Sequence, residues 1–243
     1  MIVAKPTTQG FTLVEMAVVL VILGFVISAL LLPVAAQRDQ AYRTQTDNQL
    51  EIARKALLGF AQTNGRLPCP ATDTSAGLEA PIGGSTSAVA CTVLVGYLPA
   101  GTLGIQPVNA AGYAVDGWEN PIRYAVTQSN ADGAGGVDFT TTGEMNKVTI
   151  TALAPDLRIC ADSANCSVTQ YLTNNAVAVI YATGKNGPTG VGADEVANLD
   201  ADAIFYSRIP TDTTATVGVF DDQMVWISPF VLYNAMIEAG QLH

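Results

Sequence analysis

The chain has 243 residues, enough for one large domain or two small ones; 49% are apolar and 13% charged, a low share of charge for a soluble protein. Acidic residues outnumber basic ones 21 to 11, a net charge of −10, so the surface repels phosphate backbones and nucleic acid is not an expected partner. The single histidine, His243, stands at the last position, away from any rigid element that would present it as a base to a serine or cysteine nucleophile. No catalysis is expected.

The chain opens with ten residues ending in Gln9-Gly10, then Phe11-Thr12-Leu13-Val14-Glu15-Met16, then an apolar run to Leu32 in which Glu15 is the only charge. As a helix, residues 11–32 rise about 33 Å, enough to cross a hydrocarbon core of roughly 30 Å. A secretory signal cut after Val34-Ala35-Ala36 is one reading, but the run is longer than the usual stretch of about 7–15 residues and carries a carboxylate. A plain membrane anchor leaves Glu15 unexplained, because a carboxylate in lipid costs a few kcal/mol and calls for a partner.

Gly10-Phe11-Thr12-Leu13-Val14-Glu15-Met16 closely resembles the processing motif of the type IV prepilin-like family, which includes minor pilins and type II secretion pseudopilins. The resemblance implies that prepilin peptidase cuts between Gly10 and Phe11 and methylates the new amine, making residues 1–10 a cleaved leader. It implies that residues 11–32 remain as the transmembrane and filament-core helix. It further implies that Glu15 meets the N-terminal amine of a neighbouring subunit. A buried carboxylate satisfied only at the correct axial stagger acts as a register device for assembly. The expected setting is the bacterial inner membrane, single-pass with the head in the periplasm, followed by an extracellular or periplasmic filament. Lys5 is the sole cation before the apolar run, whereas Arg38, Arg43, Arg54 and Lys55 follow it. Positive-inside counting alone gives the opposite orientation, so the orientation rests on the resemblance.

Residues 33–64 read as a stalk continuing the helix, with Leu50, Ala53, Leu57 and Phe60 as the stripe that packs on a head. Pro33 is expected to kink or loosen it. Asn64-Gly65 followed by Pro68 is a stop signal. Anchor and stalk together make one helix of roughly 50 residues, about 75–80 Å long.

The head, residues 65–243, begins with a Gly-, Pro-, Ser- and Thr-rich irregular loop from Pro68 to Gly104. Strands are predicted at Pro121–Val126, Val148–Thr151, Val177–Tyr181, Ile204–Tyr206 and Met224–Ile227. Ser228-Pro229 opens a final helix over Phe230–Ala239. The fold class is α+β, pilin-like: a long N-terminal helix packed on a mainly antiparallel β-sheet head. The four cysteines form two close pairs, Cys69/Cys91 and Cys160/Cys166. In a chain that leaves the cytoplasm, each is expected to bridge to its near neighbour. A four-cysteine zinc site is the alternative, although no C-x-x-C pair occurs.

Two head segments extend the resemblance. Asp116-Gly-Trp-Glu-Asn-Pro-Ile-Arg-Tyr124 is similar to a pseudopilin segment, with Glu119 where the family has glycine; on its own it reads as a tight turn into a strand, with Trp118 as a core anchor. The stretch Ala178–Gly187, then Asp194-Glu195 and Asn198–Asp202, is similar to a family loop that holds Ca2+. Asp194, Asp200 and Asp202 are the candidate metal ligands, the alternative being a solvated acidic turn. Asp221-Asp222 reads as a solvated surface pair. Gly184-Lys-Asn-Gly187 lacks the spacing and hydroxyl of a phosphate loop.

The expected function is a structural subunit of a type IV pilus-like filament, a minor pilin or pseudopilin, with other pilin subunits, prepilin peptidase and the inner membrane as partners. An adhesin-like tip subunit whose head binds an external ligand or surface is the alternative.

Overall fold

A computed structural model of the chain describes residue 10 and residues 12–167 and 169–243, with the side chains of residues 29–35 left aside. Most of the expected leader and Phe11 lie outside the described residues. The chain divides into two compact units, Met1–Ala41 and Tyr42–His243.

Helix α1, Leu13–Asn64, is 52 residues long and continues through Pro33. It ends where the sequence places its stop: Gly65 takes φ +67° and donates its N–H to Ala61 O at 2.9 Å. Glycine reaches that left-handed conformation without a Cβ penalty. In the first unit the large apolar side chains from Leu13 to Ile27 are exposed on every face of the helix. A helix apolar all round is suited to lipid or to a bundle rather than to water. Among the described residues no helix is long and apolar enough to cross a membrane; the stretch expected to do so, residues 11–32, includes Phe11 and side chains that lie outside the description.

In the second unit α1 presents Leu50, Ala53, Leu57 and Ala61, all buried. Burial of each leucine contributes about 1.5–3 kcal/mol. Phe60, expected in this stripe, is only half-buried, and the Arg66 guanidinium lies 5.1 Å from its ring centre. Against the stripe lies an antiparallel sheet of β1 (Val95–Tyr97), β2 (Arg123–Val126), β5 (Ala178–Ala182) and β7 (Gln223–Ile227), in the order β1-β2-β5-β7. A short helix α2, Ala100–Leu103, follows β1. A second sheet, not anticipated, sets β3 (Leu157–Cys160) between β4 (Thr173–Ala176) and β6 (Ile204–Tyr206), with β3 and β6 parallel.

Strand alternation sends one face of the central sheet to each neighbour. Tyr124, Val126, Ala178, Ile180 and Ala182 join the α1 stripe and Leu232 and Met236 of the C-terminal helix α4, Pro229–Glu238. Ala125, Val179 and Tyr181 join Leu157, Ile159 and Phe205 of the second sheet. Thus β5, Ala-Val-Ile-Tyr-Ala, is buried along its whole length. Val148–Thr151, expected as a strand, is turn and loop; its alternation is real but no strand pairs with it.

The turn before β2 docks on α1. Asp116 Oδ1 accepts from Trp118 N and Asn120 N, each at 2.8 Å. Gly117 N donates to Thr46 Oγ1 at 3.0 Å, and a Cβ at Gly117 would collide with Tyr42 O. Trp118 is half-buried and packs edge-on against Tyr42, ring centres 5.8 Å apart. It grips the stalk and is not the core anchor expected. Glu119, in the place of the family's glycine, holds φ +68°.

Candidate functional site

The start of α1 is built by its own sequence. Thr12 N and Thr12 Oγ1 donate to Glu15 Oε2 at 2.8 and 2.9 Å, and Glu15 N donates to Thr12 Oγ1 at 3.2 Å. This is a capping box, a Thr followed three residues later by a Glu, which satisfies helix-end donors reciprocally. The carboxylate also sits at the helix end whose dipole favours negative charge. Glu15 therefore has a partner inside its own chain, a role the register reading missed although the Thr-x-x-Glu spacing carries it. Gly10 is exposed with open space around its Cα.

The three nominated metal ligands are not brought together. Asp194 Oδ2 accepts from Arg208 Nε at 2.9 Å and Oδ1 from Ser163 N at 2.9 Å. Burial acts to raise its pKa, but the Ser163 and Arg208 bonds outweigh it and hold the carboxyl below its usual range. Asp200 and Asp202 are exposed and close their own turn, Asp200 Oδ1 accepting from Asp202 N and Asp202 Oδ1 from Ile204 N.

A different set converges instead. Among the described residues, one group of three potential ligands occurs: Glu195, Asp221 and Asp222, all buried, with one oxygen of each within 4.8 Å of the others. Glu195 lies on the short helix α3, Ala193–Ala197. Its Oε2 accepts from Asn186 Nδ2, Val191 N and Gly192 N, and its Oε1 from Asp221 N, at 2.7–2.9 Å. These bonds outweigh burial and lower its pKa. Asp221 Oδ2 accepts from Lys185 N and Asn186 N, and Asp222 Oδ2 from Asn198 Nδ2. Burial, reinforced by the Glu195 charge, pushes Asp221 up to about 6. Burial pushes Asp222 up to about 7, against the Asn198 bond. Asp221-Asp222 is thus no solvated surface pair.

The sequence of the helix start matches the family model described as the prokaryotic N-terminal methylation motif, over residues 6–31. The chain is a type IV prepilin-like protein. No curated protein and no solved structure matches it. The motif covers the N-terminal segment alone, so the head is read from its own geometry.

In the head of this prepilin-like chain, Cys69 is bonded to Cys91 and Cys160 to Cys166, and no free cysteine remains for a zinc site. The first bridge closes a loop that a buried ion pair also fastens. Arg66 meets Glu79 through two bonds of 2.8 Å, and Glu79 further accepts from Cys69 N and Gly83 N. Such a pair, fully hydrogen-bonded, fixes the loop's geometry more than it adds net stability. The same loop exposes Leu78, Ile82 and Val89.

Proposed function

We propose that the chain is a minor subunit of a type IV pilus-like filament, a minor pilin or a pseudopilin, assembled through α1 after cleavage between Gly10 and Phe11. The observation that carries this reading is a methylation motif opening directly into an apolar helix whose described side chains are exposed on all sides. Lipid before assembly and the helices of other subunits afterwards are the surroundings that such a surface fits. In this reading prepilin peptidase removes residues 1–10 at the inner membrane, and the head stands on the periplasmic side. Glu15 then finds the methylated amine of Phe11 on a neighbouring subunit. Intact mass of the protein extracted from membranes is the test. Loss of the first ten residues, with or without one added methyl group, is the expected result, and a mass matching cleavage after Ala36 overturns it.

A second reading, an adhesin-like tip subunit, is supported by the exposed Leu78, Ile82 and Val89 on the Cys69–Cys91 loop. Filaments carrying Ile82→Ser and Val89→Ser that still assemble but no longer adhere to cells or surfaces favour that reading. Unchanged adhesion removes it.

A further inference from the structure

The chain from Thr173 to Ala182 is paired unequally along its length. Its second half, β5, lies between β2 and β7, and both neighbours stop opposite Ala178, at Val126 and Ile227. Its first half, β4, pairs with β3 and, among the described residues, with no strand on its other side. Asp156, just before β3, bonds through its N–H and its carboxylate to the hydroxyl of Thr127, just after β2. Strand β3 therefore takes over from β2, and the bare side of β4 is the one that β7 has left. Pro229 opens α4 at that point and turns the chain out of the sheet. The edges of β1 and β6 are covered: Ala71 bridges to Tyr97, and the Asn198 side chain bonds both Tyr206 N and Tyr206 O.

Between β4 and the start of α4 lies a cavity of about 470 Å³, walled by Asn174 and Asn175 of β4, Phe230 and Tyr233 of α4, and Ile150 and Leu153 of the loop before β3. Its size falls in the usual range for ligand sites, roughly 300–1,000 Å³. None of its lining residues is charged, so nothing in it compensates an ion taken out of water. Phe230 is 75% exposed, an aromatic ring with most of its surface free for a partner. Tyr233 is 6% exposed, and its buried hydroxyl has no partner among the described residues. Burial pushes its pKa up to about 12, so at neutral pH it remains a donor.

A bare strand edge presents N–H and C=O groups at strand spacing, and another extended chain matches them. A helix has already spent its main-chain groups on itself, and a lipid chain has none to offer. A pocket beside such an edge is what selects the side chains of an added strand. We propose that the open edge of β4 and the cavity beside it bind an extended, uncharged segment of another protein, which adds to β4 as a strand and seats an apolar side chain against Phe230 and Leu153. The whole site belongs to the unit Tyr42–His243, so the inference stands apart from the filament reading.

The test is selection from a phage-displayed library of random short peptides on the full chain in lipid nanodiscs, with empty nanodiscs as the control. Selected peptides are then made synthetically and titrated by fluorescence anisotropy. The enriched sequences are expected to be uncharged, free of proline, and to carry an aliphatic or aromatic residue at a fixed position. N-methylation of alternate peptide amides is expected to abolish binding in one register and to spare it in the other, because only one edge of the added strand faces β4. Ala154→Trp, at an exposed residue of the cavity wall, fills the cavity and is expected to weaken binding by at least about tenfold. Phe230→Ala removes one wall and is expected to weaken it several-fold. Both residues are exposed, so both variants are expected to melt with the wild type. No enrichment over empty nanodiscs overturns the site, as does peptide binding that survives Ala154→Trp. Binding that tolerates N-methylation in both registers overturns the added strand. Saturable binding of oleate with no peptide enriched overturns it in favour of a lipid chain, and a consensus matching this chain's own sequence in favour of a second copy.

Discussion

Glu15 closes the start of α1 through Thr12, and the same carboxylate is the one proposed to meet a neighbouring amine. The two roles separate by substitution. Glu15→Gln keeps an oxygen that can accept from Thr12 but carries no charge; Glu15→Ala loses both and weakens the helix start. Both variants are expected to stay membrane-bound, since removing a charge eases insertion. If register rests on the ion pair, both enter sheared filaments poorly. Normal incorporation of Glu15→Gln beside failure of Glu15→Ala would assign the residue to capping alone. Asp116 offers a titration of known sign. Burial raises its pKa, against the bonds from Asn120 and Trp118. The folded state therefore holds its proton more tightly than the unfolded chain. The stability so linked is present below the unfolded value near 4 and is lost as pH rises to the folded one. Asp116→Asn does not titrate, so it is expected to gain on the wild type between pH 3 and pH 7 in melting experiments. A difference that stays constant with pH would remove Asp116 from this role.

The two disulfides close loops of different reach, with sequence separations of 22 and 6. Loop-closure entropy assigns about 3 kcal/mol to the first and about 2 kcal/mol to the second. Replacing Cys69 and Cys91 by serine is expected to lower the denaturant midpoint more than replacing Cys160 and Cys166. The reverse order would mean that the Arg66–Glu79 pair already holds the larger loop. Among the strands, β5, β6 and β7 were legible because each is a compact apolar run bounded by turn residues. β3 and β4 were not: Thr173-Asn-Asn-Ala176 is turn-type sequence, made a strand by its pairing with β3 across an irregular register. Val148–Thr151 erred the other way, since alternation alone supplies no partner. The acidic site followed the same logic. Local density drew attention to residues 194–202, yet the cluster joins Glu195 to Asp221 and Asp222 across 26 residues of chain. The usable signal was a carboxylate pair set directly between Phe220 and the apolar strand β7, where a surface turn has no need of such flanks.

At the scale of the whole molecule the two units differ in kind. Tyr42–His243 has two hydrophobic clusters, on the two faces of its central sheet. In the first unit the described residues from Leu13 to Ile27 have an exterior that is apolar apart from Glu15, and they form no such cluster. The end of α1 at Gly65 was legible in the sequence, whereas the division between the two units falls at Ala41/Tyr42, inside the stretch read as stalk. What the sequence concealed is the second sheet behind the first, because its strands are short and one pairing is parallel.

The docking turn at Thr46 gives the head a mechanical property. Gly117 bonds Thr46, Trp118 lies against Tyr42, and Gln223 Nε2 reaches Arg43 O at 3.0 Å and the Asp47 carboxylate. These contacts fall within residues 42–47, less than two turns of α1, and they come from two places in the head: the turn before β2 and the first residue of β7. They form a collar on the shaft. A pull delivered along α1 enters the head through this collar before it reaches the Leu50–Ala61 stripe, and it is shared between the two strands. Hydrogen bonds loaded side by side share a load rather than break in turn, so in the proposed filament the collar works as a shear clamp between the stalk and the two strands it holds.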